Sequence, residues 1–419
     1  MEATLMQEFN RLLQAIVDSH GDISDLLFVP GKLPQVEIHG SLETPEVGEP
    51  ILNDPRIEGF ARIIMNGNSK LQEDLSRTGA CDCSYTLAET CRFRVNIYKQ
   101  RGNHAMVMRR LSAKIPSLDA LDLPPVFKSI IQEKHGLVFL TGGTGNGKTT
   151  TLAALLNEIN ATSKVHVVTL EDPIEFLHPQ LKSTFSQREL GRDFFNFPDG
   201  LRSALRQAPK VILVGEIRDR ETMEIALTAG ETGHLVFATL HTNSVDQTIH
   251  RILGLFSKNE EQLVRERLAG SLRYVVGQRL VPKKSGGRHL VTELMGSTLR
   301  TREAIELGEN ENRRLHEIIE AGSASGWHSF EQSLLKAYAN EIITAETAMT
   351  YSVHKPAMRQ RLDMAHGQSL RPMHAANPSP MMVVEAAEPL PMPPASEPFR
   401  AVRPQSQPSL VKGFLNGFL

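Results

Sequence analysis

Apolar and polar positions alternate with different periods along the chain, and the change of period marks its regions. Between residues 126 and 364, short apolar runs typical of buried strands are separated by segments with helical spacing. The apolar runs are "GLVFLTG", "KVHVVTLED", "KVILVGE" and "GHLVFATLHT", and three or four helical segments follow them. Because strands that alternate with helices form parallel sheets covered by helices, this region is predicted to be an α/β domain.

The regions on either side of this domain have different patterns. Residues 1–112 contain stretches such as "PQVEIHGSL" and "TCRFRVNIYKQR", in which β-branched and aromatic residues alternate with polar ones, so we predict a small α+β domain. Residues 113–125 contain three prolines and are predicted to be a linker. Residues 365–419 are rich in Pro, Ala and Ser and are predicted to be disordered. Their amphipathic end, residues 410–419, either folds when it docks on a partner or a membrane surface, which is our hypothesis, or stays unstructured.

The composition argues against several classes of function. The 419 residues carry a formal net charge of −2, so no overall basic field attracts nucleic acid. No apolar run reaches about eighteen residues, the length that a membrane-spanning helix requires. The three cysteines, Cys81, Cys83 and Cys91, do not have the spacing of a zinc site or the number expected of a disulfide framework. They indicate reduced thiols in a cytoplasmic protein.

Residues 142–149 read "GGTGNGKT" and match the phosphate-binding pattern G-x-x-x-x-G-K-[ST] in full. An apolar strand precedes the motif and a helix-forming run follows it, which is the context that this loop requires. Glycines let backbone N–H groups surround phosphate oxygens, Lys148 is expected to reach the β- and γ-phosphates, and Thr149 is expected to bind Mg²⁺. The predicted ATP-binding residues are Gly142, Gly143, Thr144, Gly145, Asn146, Gly147, Lys148, Thr149 and Thr150.

Glutamates follow two of the predicted strands, Glu171 in "VVTLEDPIEF" and Glu216 in "VILVGEIRD". Ligands bind at the carboxyl ends of strands in open parallel sheets, so both carboxylates are expected beside the phosphate loop. Phosphoryl transfer to water needs one group that handles the water and one that holds Mg²⁺. The two glutamates can divide these roles, and Gly215 would leave room beside the metal. The alternative for each glutamate is a solvated or helix-capping carboxylate.

Two histidines flank the next apolar strand, with His234 before it and His241 just after it. A side chain at that strand end could sense the γ-phosphate of a nucleotide in the neighbouring loop. Both histidines are therefore candidate catalytic residues, and the alternative for each is a purely structural role.

Together these segments resemble the secretion ATPase superfamily, and within it the type IV pilus retraction (twitching motility) ATPases. The resemblance is carried by "GGTGNGKTTTLAALL", "VVTLEDPIEF", "QREL", "ILVGEIRDRETMEIALTAGETGHLVFATLHTNS" and "GQRLVPK". It implies a RecA-like P-loop ATPase domain with an acidic box at Glu171 and Asp172, and a Walker B segment ending at Gly215 and Glu216. It also implies a histidine box formed by His234 and His241. The resemblance further implies that Glu216 acts on Mg²⁺ and the lytic water, and that Glu171 is a candidate general base.

The resemblance has implications for the rest of the chain as well. The N-terminal part is expected to be a PAS-like domain whose arginines approach the nucleotide, where a guanidinium stabilises charge on the phosphoryl oxygens. By position the candidates are Arg92, Arg94, Arg101 and Arg109, of which Arg101 and Arg109 are our predicted catalytic arginines; the alternative is arginines on a strand surface. The expected assembly is a homo-hexamer at the cytoplasmic face of the inner membrane. It would act on a pilus platform protein and associate with the membrane through its partners.

Three departures from the family pattern leave alternatives open. A histidine common in the first strand motif is replaced by Leu27, an acidic triplet by "APK" at residues 208–210, and the C-terminal retraction motif by "STLRTREAIELGE" at residues 297–309. The first hypothesis is a hexameric motor that hydrolyses ATP to retract a pilus. The second is an accessory or weakly active regulatory subunit that modulates a paralogous retraction ATPase. A pilus assembly or type II secretion ATPase is less favoured, because those relatives carry an extra N-terminal domain and a four-cysteine insert. A nucleic-acid motor is less favoured still.

Overall fold

The computed structural model describes residues 2–87, 91–111, 114–311 and 313–369. The chain divides into a compact unit, Met1–Gln368, and a second unit, Ser369–Leu419. All but the first residue of the second unit lies outside the described residues. The predicted amphipathic peptide at 410–419 and most of the segment predicted to be disordered therefore also lie outside them.

The N-terminal part of the compact unit contains a six-stranded antiparallel sheet with the strand order β3-β2-β1-β6-β5-β4. Its elements are α1 (Glu2–Ser19), β1 (Ile23–Phe28), β2 (Gln35–Ile38), β3 (Ser41–Glu43), α2 (Asp54–Met65), α3 (Ser69–Thr78), β4 (Ala80–Leu87), β5 (Cys91–Gln100) and β6 (Asn103–Leu111). Phe93, Val95 and Ile97 of β5 are fully buried, as the alternation in this stretch predicts. They share one apolar core with Phe9 of α1 and Phe60 of α2, whose rings stack 4.5 Å apart. The α+β prediction is confirmed.

The second part of the compact unit contains a seven-stranded mixed sheet with the order β13-β12-β7-β11-β10-β8-β9. Its strands are β7 (Gly136–Thr141), β8 (His166–Glu171), β9 (Thr184–Glu189), β10 (Val211–Val214), β11 (Leu235–Leu240), β12 (Leu272–Pro282) and β13 (Arg288–Gly296). All neighbouring strands are parallel except the β12–β13 pair, which is antiparallel. The four predicted strands are β7, β8, β10 and β11, and they lie side by side at the centre of the sheet. Every residue of β7, β10 and β11 is buried, which explains their continuous apolar sequence. The α/β prediction is confirmed.

Helices connect these strands and extend beyond them. The helices are α4 (Phe127–Ile130), α5 (Lys148–Thr162), α6 (Phe197–Ala204), α7 (Arg220–Glu231), α8 (Val245–Leu253), α9 (Glu261–Ser271), α10 (Leu299–Glu306), α11 (Leu315–Ala321), α12 (Phe330–Ala339), α13 (Ala345–Tyr351) and α14 (Lys355–Ser369). The prediction of three or four helical segments after β11 was wrong: in the described residues, seven helices follow β11 and the β12–β13 hairpin interrupts them. Several of these helices are only seven or eight residues long, which is too short for a clear periodic signal. Helix α14 extends to Ser369, into the segment predicted to be disordered.

The N-terminal sheet is bound to β9 of the seven-stranded sheet by buried polar contacts. Arg92 of β5 forms an ion pair and hydrogen bond with Glu189 of β9, and both side chains are buried. Ser84 of β4 donates a hydrogen bond to Glu189 Oε1 over 2.6 Å. Nearby, Asn68 Nδ2 donates to the carbonyl oxygen of Gly191 over 2.7 Å. One end of β9 therefore lies against the N-terminal sheet.

The cysteines form no disulfide, as the sequence predicts. Cys81, Cys83 and Cys91 are free thiols, and burial raises the pKa of Cys81 to about 11, so this thiol is protonated at neutral pH. Among the helices of the described residues, none is both long enough and apolar enough to pass through a membrane.

Candidate active site

The phosphate loop connects β7 to α5, and glycines occupy its most constrained positions. Gly142 and Gly147 have φ angles of +143° and +81°, which L-amino-acid side chains disfavour. A Cβ on Gly142 would lie 2.5 Å from the carbonyl oxygen of Gln278 on β12. Lys148 is buried, and its Nζ donates hydrogen bonds to the carbonyl oxygens of Gly142 (2.8 Å) and Gly143 (3.0 Å). The ammonium group of Lys148 therefore lies over the loop, and this loop is the segment that binds phosphate in proteins with the motif.

A cleft of about 500 Å³ opens beside the loop. Its walls come from the phosphate loop, the carboxyl ends of β8, β10 and β11, strand β5 of the N-terminal sheet, and the β12–β13 hairpin. Asn146 of the phosphate loop contacts β12, because its Oδ1 accepts a hydrogen bond from the backbone N–H of Leu280 over 3.3 Å. The predicted site residues that line the cleft are Thr144, Gly145, Gly147, Lys148, Thr149, Thr150, Glu171, Glu216 and His241.

Glu171 is buried at the end of β8, and neutral donors hold its carboxylate. Thr169 Oγ1 donates to Glu171 Oε1 over 2.6 Å, and Gln187 Nε2 donates to the same oxygen over 3.2 Å. Burial raises the pKa of Glu171 to about 7, although these two hydrogen bonds and the charge of Arg92 oppose the rise. The carboxylate of Glu175 adds to it. Glu171 is therefore able to exchange a proton near neutral pH.

Glu216 follows β10 and pairs with the side chains of an arginine and a histidine. Arg218 lies 2.7 Å from Glu216 Oε2, and His241 Nε2 lies 3.3 Å from Glu216 Oε1. Burial alone would raise the pKa of Glu216, but the hydrogen bonds and charges of Arg218 and His241 outweigh it, so the pKa is lowered. Glu216 therefore stays ionised at neutral pH. Burial lowers the pKa of Lys148, and the charges of Glu216 and Glu175 oppose that change.

Gly215 is explained by the neighbouring strand. A Cβ at this position would lie 3.0 Å from the carbonyl oxygen of Leu170 and 3.4 Å from the Cα of Glu171. Thr239 Oγ1 donates to the carbonyl oxygen of Gly215 over 2.5 Å and fixes the end of the strand. We expected Gly215 to leave room for a metal ion. Instead, the backbone of β8 fills the space that the missing side chain leaves.

His234 lies at the opposite edge of the sheet from the phosphate loop. It precedes β11, whereas His241 follows it, and a six-residue strand spans roughly 20 Å. The Nδ1 atom of His234 is 3.1 Å from the carbonyl oxygen of Ala229 and 3.4 Å from Thr232 Oγ1. The structure thus brings His241 into the cleft but not His234, and the predicted catalytic role of His234 is not supported by its position within this chain.

The two arginines of β5 have different positions. Arg94 lines the cleft, and its charge acts on the nearby Asp172, whose pKa burial raises. Arg92 is turned into the interface with β9, where it pairs with Glu189. Of the candidates from the N-terminal part, Arg94 is therefore the one that this chain places beside its own nucleotide cleft.

The two arginines predicted to be catalytic do not line the cleft of their own chain. Arg101 is exposed in the turn between β5 and β6, with a φ angle of +50°. Arg109 on β6 is also exposed, and its Nε donates to Asp25 Oδ1 over 2.9 Å. Within one chain, neither residue is placed to contact a nucleotide at Lys148.

Sequence reasoning missed several cleft residues. Glu175 is four residues after Glu171, and Arg218 is two residues after Glu216. Their closeness in sequence to the strand-end glutamates could have indicated that they line the cleft. Arg288 lies in a hairpin that the hydrophobic pattern did not reveal. Gln187 belongs to the segment "QREL", and only the pairing of β9 with β8 shows that its side chain contacts Glu171.

The fold and the cleft together define the class of protein. A phosphate loop between β7 and α5, with carboxylates at the ends of two neighbouring strands, is the arrangement of a RecA-like P-loop ATPase, as predicted. This class hydrolyses nucleoside triphosphates at the carboxyl edge of its sheet.

Comparison with known proteins narrows the class. The family described as "Type II/IV secretion system protein" matches residues 83–326. The type IV pilus retraction ATPase PilT of Pseudomonas aeruginosa is 38% identical over 78% of this chain and 93% of its own length. The type IV pilus ATPase PilU of the same organism is 35% identical over 82% of this chain and 88% of its own length. The uncharacterized protein YggR of Escherichia coli is 40% identical over 74% of this chain and 93% of its own length.

A solved structure agrees with these relatives. The crystal structure of the pilus retraction motor PilT with bound ADP covers 83% of this chain and 99% of that chain, with a TM-score of 0.75 and 37% identity. The chain therefore belongs to the type II/IV secretion system ATPases, and within them it is similar to PilT and PilU.

Proposed function

We propose that the chain is the motor ATPase of type IV pilus retraction, which uses ATP hydrolysis to remove pilin subunits and shorten the pilus. The observation that carries the proposal is the complete cleft, in which Lys148, Glu171 and Glu216 surround one space beside the phosphate loop. The similarity to PilT over 93% of the length of PilT supports the retraction role.

The environments of the two glutamates support a division of labour. Glu171 has a pKa of about 7 and accepts the proton of the attacking water as general base. Glu216 has a lowered pKa and stays anionic, so it is suited to a cation rather than to a proton. Lys148 and Arg94 line the same cleft and add positive charge beside the phosphates.

Magnesium fits the donor set of the cleft. The hydroxyl of Thr149 and the carboxylate of Glu216 both line it, and Mg²⁺ prefers oxygen ligands of this kind. We propose that these two residues hold the ion, directly or through water. When bound, Mg²⁺ neutralises charge on the phosphate oxygens. The side chains of the protein then need only orient the water and accept its proton.

A ring of subunits would give the exposed arginines a function. We propose a homo-hexamer in which Arg101 and Arg109 approach the nucleotide of a neighbouring subunit, because both side chains are exposed away from their own cleft. Arg109 would then retain or exchange its contact with Asp25. The ring would lie at the cytoplasmic face of the inner membrane and act on the pilus platform protein.

An accessory retraction ATPase is the second candidate. The segment 297–309, which includes α10, departs from the retraction motif of the family, and PilU is 35% identical to this chain. In this case the chain would assist a paralogous retraction motor instead of acting alone. The cleft described above supports ATP hydrolysis in either role.

Turnover by the purified full chain is the first test. We expect Mg²⁺-dependent ATP hydrolysis that Lys148→Ala abolishes, because the substitution removes the cation that faces the phosphates. Lys164→Ala is the matched control, since Lys164 is an exposed lysine just beyond the same helix. Equal turnover by the Lys148 and Lys164 variants would contradict the assignment of the site.

Pilus length and surface motility in a deletion strain test the cellular role. Longer or more numerous pili with lost motility, restored by the wild-type chain but not by Lys148→Ala, are expected of the main motor. A defect that appears only together with loss of a second retraction ATPase would identify an accessory subunit. Absence of pili would instead indicate assembly and would overturn the proposal.

A further inference from the structure

Gln187 occupies a defined position beside the carboxylate of Glu171. It lies on β9 in register with Thr169 of β8, so its side chain and that of Thr169 approach Glu171 from adjacent strands. Both donate to Glu171 Oε1, over 3.2 Å from Gln187 Nε2 and over 2.6 Å from Thr169 Oγ1. Among the contacts of the described residues, both hydrogen bonds that this carboxylate accepts therefore end on one oxygen, which leaves Oε2 available to the cleft.

The amide of Gln187 is itself held in one orientation. Its Nε2 also donates to the carbonyl oxygen of Phe176 over 2.8 Å, and its Oε1 accepts from the backbone N–H of His178 over 2.8 Å. A reversed amide would place a donor against the N–H of His178 and an acceptor against two oxygens, which would lose all three hydrogen bonds. The nitrogen that contacts Glu171 is thus fixed as a donor.

We propose that Gln187 is a positioning residue for the hydrolytic reaction, which anchors Oε1 of Glu171 so that Oε2 faces the attacking water. The inference rests on the proposed role of Glu171 as general base. It requires no contact between Gln187 and the nucleotide. A base whose carboxylate rotates freely spends less time in reach of the water, so loss of the anchor lowers kcat more than it changes KM.

Charged groups from several elements also act on Glu171. Arg92 of the N-terminal sheet opposes the effect of burial, and Glu175 adds to it. Glu189 follows Gln187 on β9, and Lys148 and Glu216 line the same cleft. These groups stay in place when Gln187 is replaced by an uncharged residue, so a change in the pH dependence of such a variant reports the lost amide.

The experiment compares the pH dependence of kcat for the full-length wild type with Gln187→Met, which keeps the volume and removes the donor. A hydrogen bond to a charged group favours ionisation, so its loss moves the acid limb of kcat to higher pH by about one pH unit. At pH 7 we expect kcat to fall by about 10- to 100-fold with KM changed less than about threefold. Gln187→Glu keeps an acceptor for His178 but adds a like charge, so its acid limb moves further in the same direction.

Gln180→Met is the matched control. Gln180 lies in the connection between β8 and β9. Its side chain hydrogen-bonds the backbone N–H and carbonyl oxygen of Phe185, both over 2.9 Å, and no hydrogen bond to Glu171 is found for it in the described residues. A merely structural role of Gln187 would make both methionine variants lose thermal stability and activity equally at every pH. Calorimetric binding of ADP and the melting temperature establish that each variant is folded. If Gln187→Met does not fold, Gln187→Glu carries the same test.

An unchanged acid limb in both Gln187 variants would overturn the inference. The outcome for Glu171→Gln separates this from failure of the proposed function. If Glu171→Gln keeps wild-type turnover, the general base has been assigned wrongly. If it is inactive while the Gln187 variants keep the wild-type pH profile and kcat, only the positioning role is wrong.

Discussion

Glu171 and Glu216 stand at the carboxyl ends of neighbouring strands, yet the protein surrounds them differently. Glu171 is buried and held by the neutral side chains of Thr169 and Gln187, and burial raises its pKa to about 7. Glu216 is more accessible and paired with Arg218 and a histidine, and its pKa is lowered. The sheet thus brings two equivalent carboxylates to one edge, and their local partners shift their pKa values in opposite directions, which suits one to the proton transfer proposed above and the other to a permanent negative charge.

The largest expected difference between the two carboxylates is in the chemical step. Glu171→Gln removes the proposed proton acceptor and keeps the shape, so kcat should fall by about 100- to 10,000-fold while ADP affinity stays unchanged. Single-turnover ATP hydrolysis and calorimetric ADP binding measure the two quantities. A variant with more than half of the wild-type kcat would remove the functional distinction between the glutamates.

The next effect concerns the metal. Glu216→Gln keeps the volume and removes the charge, so the Mg²⁺ concentration for half-maximal turnover should rise by about 10- to 100-fold. Titration of ATPase activity with Mg²⁺ at saturating ATP measures this change. Glu171→Gln is the control and should leave the midpoint where it is. An identical midpoint in wild type and Glu216→Gln would show that Glu216 does not hold the cation.

Replacement of Glu171 and replacement of Glu216 should change the stability of the fold in opposite directions. The pKa of Glu171 rises from 4.5 to about 7 on folding, so the folded chain binds the proton more tightly and loses stability as pH rises through this window. Glu171→Gln should therefore raise the free energy of unfolding at pH 8, by up to about 3 kcal/mol, and lose this gain near pH 5.

The pKa of Glu216 is lowered on folding, so its contribution is present above its unfolded pKa and is lost as pH falls through the folded pKa. Glu216→Gln should lower the melting temperature at pH 8 and change it less at acid pH. Calorimetric unfolding of the nucleotide-free proteins at both pH values tests the pair. Changes of the same sign in the two variants at pH 8 would contradict the contrast.

The smallest expected effect is at the cationic partner of Glu216. Arg218 is largely exposed, and solvent screens its interaction, so Arg218→Ala should reduce kcat by less than about fivefold. High salt should also lower the kcat of the wild type, because it screens the same interaction between Arg218 and Glu216. A pH and salt series of initial rates measures both effects. A loss as large as that of Glu171→Gln would mean that Arg218 itself contacts the phosphates.

The central strands and most of the site could be predicted because they depend on local sequence and on one rule of sheet topology. Lys148 follows from its motif, and Glu171 and Glu216 follow from the meeting of carboxyl strand ends at one edge. The family context names both His234 and His241, but a strand has two ends, and of the two histidines it is His241 that follows the carboxyl end of β11 and lines the cleft.

The arginines and Gln187 could not be assigned from sequence because their partners are distant in the chain. Arg92 and Arg94 are two residues apart on β5, and nothing local indicates that one pairs with Glu189 while the other lines the cleft. Gln187 contacts Glu171 through the pairing of β8 with β9, which the sequence pattern did not reveal because the residues of β9 are mostly polar. The positions of these side chains depend on contacts between residues that are far apart in the sequence.

Strand β9 contacts both the N-terminal sheet and Glu171 in the cleft. Glu189 is bound by Arg92 and also accepts the backbone N–H of Ile174, in the segment that follows Glu171. Two residues earlier on the same strand, Gln187 holds Glu171 itself. A displacement of the N-terminal sheet would therefore have to break the buried ion pair between Arg92 and Glu189 or move β9, the strand that carries the hydrogen bond from Gln187 to Glu171.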